Sequence, residues 1–216
     1  MSSLHPLSPT YHITLLRHGE SLGNAENRHQ GQADFPLTEK GREQARLLGN
    51  YWKKTGMSFD CAIASPQTRA KESAEIIALA LDLSLEFDPI WMERNNGKLA
   101  GLRFDEALVK FPPPDFIHLY QPIAETGESQ WELYLRAGQA LNSLMKLAPG
   151  KYLVISHGGL LNKVMHAVVG QSPRPNFQGP NFHFSNTGFT TLIYKPQKGV
   201  WTIQSHNTRP HLLEEN

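Results

Sequence analysis

The chain has almost no cysteine, almost no net charge and no long apolar run, and each shortage removes a class of protein. Cys61 is the only cysteine in 216 residues, so no intrachain disulfide can form and a zinc site built on cysteines is excluded. That suits a reducing compartment. The 21 basic and 20 acidic side chains leave a formal charge of +1, which supplies no field to draw nucleic acid or an anionic membrane as a main partner. No apolar stretch approaches the roughly 18 to 20 residues needed to cross a bilayer. Met1 to Tyr11 lacks both the basic start and the apolar run of a signal peptide. The expectation is a cytoplasmic protein with a small-molecule partner. A homodimer is left open, because an exposed apolar patch is not legible in sequence.

A hydrophobic content of 39% is enough for one substantial core at this length, so residues 1–216 read as one domain. His12 to Leu16 is a β-branched and aliphatic run with little alternation, as in a strand buried on both faces. Thr38 caps a helix carrying Ala45, Leu48 and Trp52 at helical spacing and ending near Gly56. Cys61 to Ala64 reads as a second buried strand, with Ser65-Pro66 as cap and first-turn proline of a helix to about Leu81. A short strand around Leu85 to Phe87 follows, and Pro112-Pro113-Pro114 forbids regular structure.

Glu128 to about Leu147 reads as a helix burying Trp131, Leu135, Leu141 and Leu144, closed by Pro149-Gly150. Tyr152 to Ser156 is the clearest buried strand and runs directly into a helix with the stripe Leu160, Val164, Met165 and Val168. The stretch 170–188 reads as an ordered loop, and Thr190 to Tyr194 and Val200 to Gln204 as strands joined at Lys198-Gly199. Strands alternating with helices predict an α/β fold, a three-layer α/β/α sandwich with a mainly parallel central sheet. Sites on such sheets form beyond the carboxyl ends of strands.

Two histidines stand at those ends. His18 follows the first strand, flanked by Arg17, whose guanidinium is a planar fork for phosphate oxygens, and by Gly19, which permits close backbone approach. His157 follows the strand ending at Ser156, and Gly158-Gly159 can open backbone N–H groups toward an anion at a helix N-terminus. Arg69 lies in the first turn of its helix and adds a second guanidinium. Glu93, after Trp91 and Met92, is a candidate for acid–base work. Singly each has a plainer reading, a solvated arginine or carboxylate or a packed histidine; the set carries the argument.

In order, Arg17-His18-Gly19-Glu20-Ser21, Asn24, Asp34-x-Pro36-Leu37-Thr38-x-x-Gly41, Ser65-Pro66-x-x-Arg69-Ala70, Glu93 and Ser156-His157-Gly158-Gly159 resemble the histidine phosphatase superfamily in its phosphoglycerate mutase-like branch. The resemblance covers nearly the whole chain. It implies that His18 attacks phosphorus and is transiently phosphorylated, that Arg17, Arg69 and His157 hold the phosphoryl oxygens, and that Glu93 protonates the leaving oxygen. Asn24 and the following loop, with Gln30 and Gly31, complete the substrate cradle together with Gly158. Two arginines and a His157 kept protonated by the phosphate can replace Mg²⁺, so neither metal nor other cofactor is expected. His5, His12, His29, His118, His166, His183, His206 and His211 have no metal-ligand spacing.

Such families hold hydrolases and mutases. Asn95-Asn96 stand where the mutases have His-Tyr, and Phe104 where they carry a substrate-binding lysine. Between Arg103 and Glu128 only Lys110 and His118 are basic. Keeping an intermediate bound through reorientation requires several cations around its far end. The expectation is a metal-independent phosphatase of small-molecule phosphate monoesters, with a cofactor-dependent phosphoglycerate mutase as alternative. A catalytically inactive phosphoester-binding module is the alternative of another class. Loops 95–125 and 171–186 are expected to line the substrate pocket, where Phe111, Phe116, Tyr120, Phe182 and Phe184 either meet the leaving group or pack as core.

Overall fold

The computed structural model describes residues 9–212. His5 and most of the Met1 to Tyr11 segment lie outside the described residues. In chain order the elements are β1 Tyr11–Arg17, α1 Leu22–Ala25, α2 Glu39–Thr55, β2 Cys61–Ala64, α3 Thr68–Leu81 and β3 Leu85–Phe87. They continue with α4 Phe104–Lys110, α5 Gln130–Met145, β4 Lys151–Ser156, α6 Gly158–Val168, β5 Phe189–Lys195 and β6 Val200–Thr208. The strands form one sheet in the order β3-β2-β4-β1-β5-β6. Its first four strands are parallel, and β5 and β6 extend it antiparallel. The predicted three-layer α/β/α sandwich with a mainly parallel sheet is thus the observed fold.

Alternation along the central strands assigns the two outer layers. Ile13 and Leu15 of β1 and Val154 of β4 pack with Leu133, Ala137 and Leu144 of α5 and Leu160, Val164 and Met165 of α6. Leu16, Leu153 and Ile155 point the other way, against Ala45, Leu48 and Trp52 of α2 and Ala74 and Ile77 of α3. A strand with apolar side chains on both faces has no polar side to offer water, which is why β1 and β4 occupy the middle. Each such side chain contributes about 1.5 to 3 kcal/mol by leaving water. Among the described residues no helix is long and apolar enough to cross a membrane.

Local signals place α2 as expected: Thr38 accepts the Gly41 N–H, and Gly56 ends the helix in the left-handed region at φ 70°. Two readings require correction. Ser65-Pro66 does not open α3; Gln67 is its N-cap, because the strand pairing of β2 continues through Ser65, whose N–H donates to the Ile155 carbonyl at 3.0 Å. In α5 the buried stripe is Leu133, Ala137, Ala140, Leu141 and Leu144, whereas Leu135 is 49% exposed. Trp131 stays half-buried against Tyr120 and Tyr134. Two alanines let the helix approach the sheet closely, and a reading keyed to large side chains passed over them. The short helix α4 was also not anticipated.

Candidate active site

Sheet register builds the site. Arg17 of β1 pairs with Ser156 of β4, and the His18 N–H donates to the Ser156 carbonyl at 3.1 Å. The two chains therefore leave the sheet side by side, and the rings of His18 and His157 lie 5.1 Å apart. Both are buried, at 2% and 0% exposure. On the other side of β4, β2 delivers Ser65, whose hydroxyl lies 2.7 Å from His157 Nε2. Thus Ser65, read as a helix cap, instead orients the second histidine.

Each cation is tethered and still has a free donor. Arg69, 1% exposed, gives its Nη atoms to the Gly31 carbonyl at 2.7 Å and the Ala33 carbonyl at 3.1 Å. Arg17 gives Nη1 to the Phe184 carbonyl at 2.7 Å. Among the described residues Arg17 Nε, Arg69 Nε and His157 Nδ1 are buried without a partner, which is unfavourable unless a ligand meets them. Burial lowers the pKa of both arginines, Arg69 to about 10 even with Glu93 and Asp34 opposing it. At neutral pH both remain charged.

The tautomer of His18 is fixed by its neighbour. Its Nδ1 lies 2.7 Å from the Gly19 carbonyl, and a carbonyl only accepts, so Nδ1 carries the proton and Nε2 keeps its lone pair. Burial, then Arg69 and Arg17, push the pKa well below the ordinary 6.5, with the Gly19 hydrogen bond opposing. His157 is pushed down likewise, by burial and by Arg69, His18, Arg17 and Arg136. The protein's own field disfavours a charge on His157, so the proton that the sequence reading assigns to it depends on the phosphate.

Glu93 occupies the start of α6. Its carboxylate accepts from the N–H groups of Gly159 at 2.9 Å, Leu160 at 3.0 Å and Arg94 at 2.8 Å. The helix N-terminus expected to face a bound anion is thus already filled by an internal one. A Cβ at 159 would lie 2.5 Å from Glu93 Oε1 and would displace the carboxylate from the Gly159 N–H. Arg136 of α5 holds the backbone before and at Glu93 through the Met92 and Glu93 carbonyls, and pairs with Glu128 at 2.7 Å. Gly158 lies against Arg17, where even a Cβ would be 3.6 Å from Arg17 Nε.

The remaining expected residues turn toward the protein. Asn24 Oδ1 accepts from the Ser21 N–H and from Asn186 Nδ2, Gln30 Oε1 takes the Ser21 hydroxyl at 2.7 Å, and the Gly31 carbonyl is shared by Arg69 and Gln67. Gly19 crosses the backbone of Gly41 so closely that a Cβ would lie 2.4 Å from the Gly41 carbonyl oxygen. Residues that the sequence reading missed brace this frame. Ser73 accepts the Gly19 N–H at 3.0 Å and donates to the Arg69 carbonyl. Gln67 spans the Gly31 carbonyl and the Glu93 N–H. Such amides and hydroxyls have no sequence signature, because their partners are remote backbone atoms.

Asn186 donates to the His18 carbonyl at 3.0 Å, and Thr187 is pinned by His211, whose Nε2 lies 3.0 Å from its hydroxyl. Burial and Arg209 lower the His211 pKa to about 4. A basic group depressed in the folded state is protonated first in the unfolded chain, so stability present above 6.5 is lost as pH falls toward 4. His18 and His157 act in the same direction. We expect the Tm to drop between pH 7 and pH 4. His211→Gln, which can still donate to Thr187, should reduce that drop by of order 2 kcal/mol in stability, read by thermal unfolding across pH.

A cleft of about 470 Å³ reaches as far as Arg94, the residue after Glu93, and is lined also by Lys110, Phe111, Pro113, Ile117 and Phe177 among others. Phe111 therefore faces the cleft as expected. Phe184 is core, 2% exposed, Phe182 packs on the same core, and Tyr120 leans on Trp131.

The fold and this arrangement define an α/β protein with two strand-end histidines, the buried Arg69 and the half-buried Arg17 over one sheet edge, a layout suited to holding a phosphoryl group. Residues 13–209 match the model of the histidine phosphatase superfamily, branch 1, and the chain belongs to that superfamily. It is 32% identical over 211 residues to the "Probable phosphoglycerate mutase GpmB" of Yersinia pestis, covering 93% of this chain and 94% of that one. Among solved structures it is similar to a phosphoserine phosphatase from Entamoeba histolytica in complex with 3-phosphoglyceric acid, at TM-score 0.75 and 25% identity over 94% of this chain and 99% of the other. A phosphoglycerate mutase from Bacillus anthracis shares the fold, at TM-score 0.74 and 24% identity over 96% and 97% of the two chains. Relatives thus bear both phosphatase and mutase names.

Proposed function

We propose that the chain is a single histidine phosphatase domain that hydrolyses small phosphate monoesters, without a metal, through a phosphohistidine on His18. The observation that carries this reading is the Gly19 carbonyl 2.7 Å from Nδ1, which leaves a neutral Nε2 lone pair in the field of the Arg69 and Arg17 guanidinium groups. Nε2 attacks phosphorus, the bond from phosphorus to the ester oxygen breaks, and Glu93, which must enter this step as the carboxylic acid, gives that oxygen its proton and becomes the carboxylate. Charge developing on the imidazole is met by the Gly19 carbonyl, and charge on the phosphoryl oxygens by Arg17, Arg69 and His157 Nδ1. Water then attacks the phosphohistidine, Glu93 takes its proton, and the bond from nitrogen to phosphorus breaks.

Hydrolysis is favoured over mutase action by the cleft's walls, in which Lys110 and Arg94 are the permanent cations and Glu125 adds a carboxylate among mostly apolar and proline side chains. Few cations favour product escape over retention of a bisphosphorylated intermediate. The test is release of inorganic phosphate from a panel of phosphomonoesters in EDTA, with isomerisation of 3-phosphoglycerate followed in parallel. Release in EDTA is the expected result. Isomerisation without net release would make the chain a mutase, and silence in both assays would leave it a phosphoester-binding module.

A further inference from the structure

The pairing of β2 with β4 continues through Ser65, whose N–H donates to the Ile155 carbonyl at 3.0 Å. Ile155 and Ser156 lead straight into His157, so the sheet itself sets the serine beside the second histidine. Both side chains are fully buried. The serine hydroxyl lies between two nitrogens: its oxygen accepts the Gln67 backbone N–H at 3.3 Å and is 2.7 Å from His157 Nε2. Among the described residues that oxygen makes no other hydrogen bond. On the other side of the ring, Nδ1 is buried and has no partner among the described residues.

A hydroxyl has one hydrogen to give, and so has a neutral imidazole. Two arrangements satisfy the 2.7 Å contact. In the first, Ser65 donates to a bare Nε2 and the ring proton sits on Nδ1. In the second, Nε2 donates to Ser65. The serine hydrogen, shut away from water, then has no acceptor, which is unfavourable, and a bare Nδ1 would meet a phosphoryl oxygen lone pair to lone pair. A doubly protonated ring orphans the serine hydrogen in the same way. It also places a charge where burial, then Arg69, His18, Arg17 and Arg136, hold the pKa well below 6.5. Only the first arrangement gives every one of these hydrogens an acceptor once a phosphoryl oxygen is in place.

We propose that Ser65 is a positioning residue that fixes the Nδ1–H tautomer of His157, so that the second histidine donates to the phosphoryl group as a neutral ring and not as a cation. This rests on the phosphatase reading and specifies how the same site meets phosphate. A donor already aimed by a strand-end serine needs no reorganisation as charge builds on the phosphoryl oxygens. A cationic His157 would lose its proton as pH rises through its pKa and impose a base limb on phosphate affinity; a neutral one imposes none.

The test is nitrogen NMR of protein isotope-labelled at histidine, free and saturated with inorganic phosphate at neutral pH, with the His157 signals assigned by their loss in His157→Gln. We expect a protonated Nδ1 and a bare Nε2 in both states. A proton on Nε2 in the free protein, or on both nitrogens in the phosphate complex, overturns the proposal. Ser65→Ala should release the tautomer and weaken the calorimetric Kd of inorganic phosphate by about fivefold to tenfold, and Ser65→Thr, which keeps the hydroxyl, should restore both. A loss of packing alone would lower the Tm of Ser65→Ala and leave the Nδ1–H signal in place, which would also overturn the role given to Ser65. Should either variant not fold, the spectra of the unaltered protein decide. If no phosphomonoester is hydrolysed, the phosphatase reading fails while the tautomer and the phosphate affinity still judge the serine; phosphate that does not bind at all overturns both.

Discussion

Replacing His18 with alanine is expected to lower kcat for phosphate release by about 10⁴-fold or more and to remove covalent phosphate from the protein. The reasoning starts at Gly19, whose carbonyl fixes the proton on Nδ1 and so leaves Nε2 as the only imidazole nitrogen in this ring able to attack. Arg17 and Arg69 stay charged and tethered in the variant, because their anchors are the backbone carbonyls of Phe184, Gly31 and Ala33. Substrate binding should therefore survive while chemistry stops, a fall in kcat with little change in Kd. Burial and the two arginines push the His18 pKa well below 6.5, so the neutral nucleophile persists on the acid side. The acid limb of kcat/KM should lie below pH 6.5. Rapid quenching with phosphorus-labelled substrate checks the first point: acid-labile label in the unaltered protein and none in His18→Ala. Label retained by His18→Ala would place the nucleophile elsewhere.

The parts of this fold that were legible in sequence are those whose cause is local. The buried runs at Leu15-Leu16 and Leu153 to Ile155 specify central strands because neither face offers a polar row, and their carboxyl ends specify where His18 and His157 emerge. Thr38 and Gly56 mark the ends of α2 through their own backbone preferences. What was not legible depends on partners far away in sequence. Ser65 is indistinguishable from a helix cap until β2 and β4 are aligned, at which point its hydroxyl meets His157 across 92 positions. Gln67, Ser73 and Asn186 look like ordinary surface polar residues, yet each holds a site loop by hydrogen bonding a backbone group. The glycines after His157 were read correctly as a helix start, but which N–H groups there stay open was not legible: Glu93, 66 positions from Gly159, takes that N–H and the one of Leu160.

That position of Glu93 makes its replacement the most discriminating experiment on the mechanism. Glu93→Gln is expected to lower kcat/KM by about 10³-fold for glycerol 3-phosphate and by less than about tenfold for p-nitrophenyl phosphate. An alkoxide leaves poorly unless it is protonated as the bond breaks, whereas p-nitrophenolate leaves unaided, so only the first ester needs a proton donor. A structural effect has to be separated from this one. Oε1 accepts from the Leu160 and Arg94 N–H groups and Oε2 from Gly159; the glutamine carbonyl can replace one oxygen, but its NH₂ cannot accept. One N–H at the start of α6 is left unsatisfied, at about 1 to 3 kcal/mol, and the Tm should fall accordingly. Disorder of that kind would slow both esters alike, because both need the same Arg17, Arg69 and His157. The ratio between the two esters is therefore the informative quantity. A loss confined to the alkyl ester identifies Glu93 as the proton donor, and an equal loss on both would make it a positioning residue that caps α6 and holds the second histidine's helix in place.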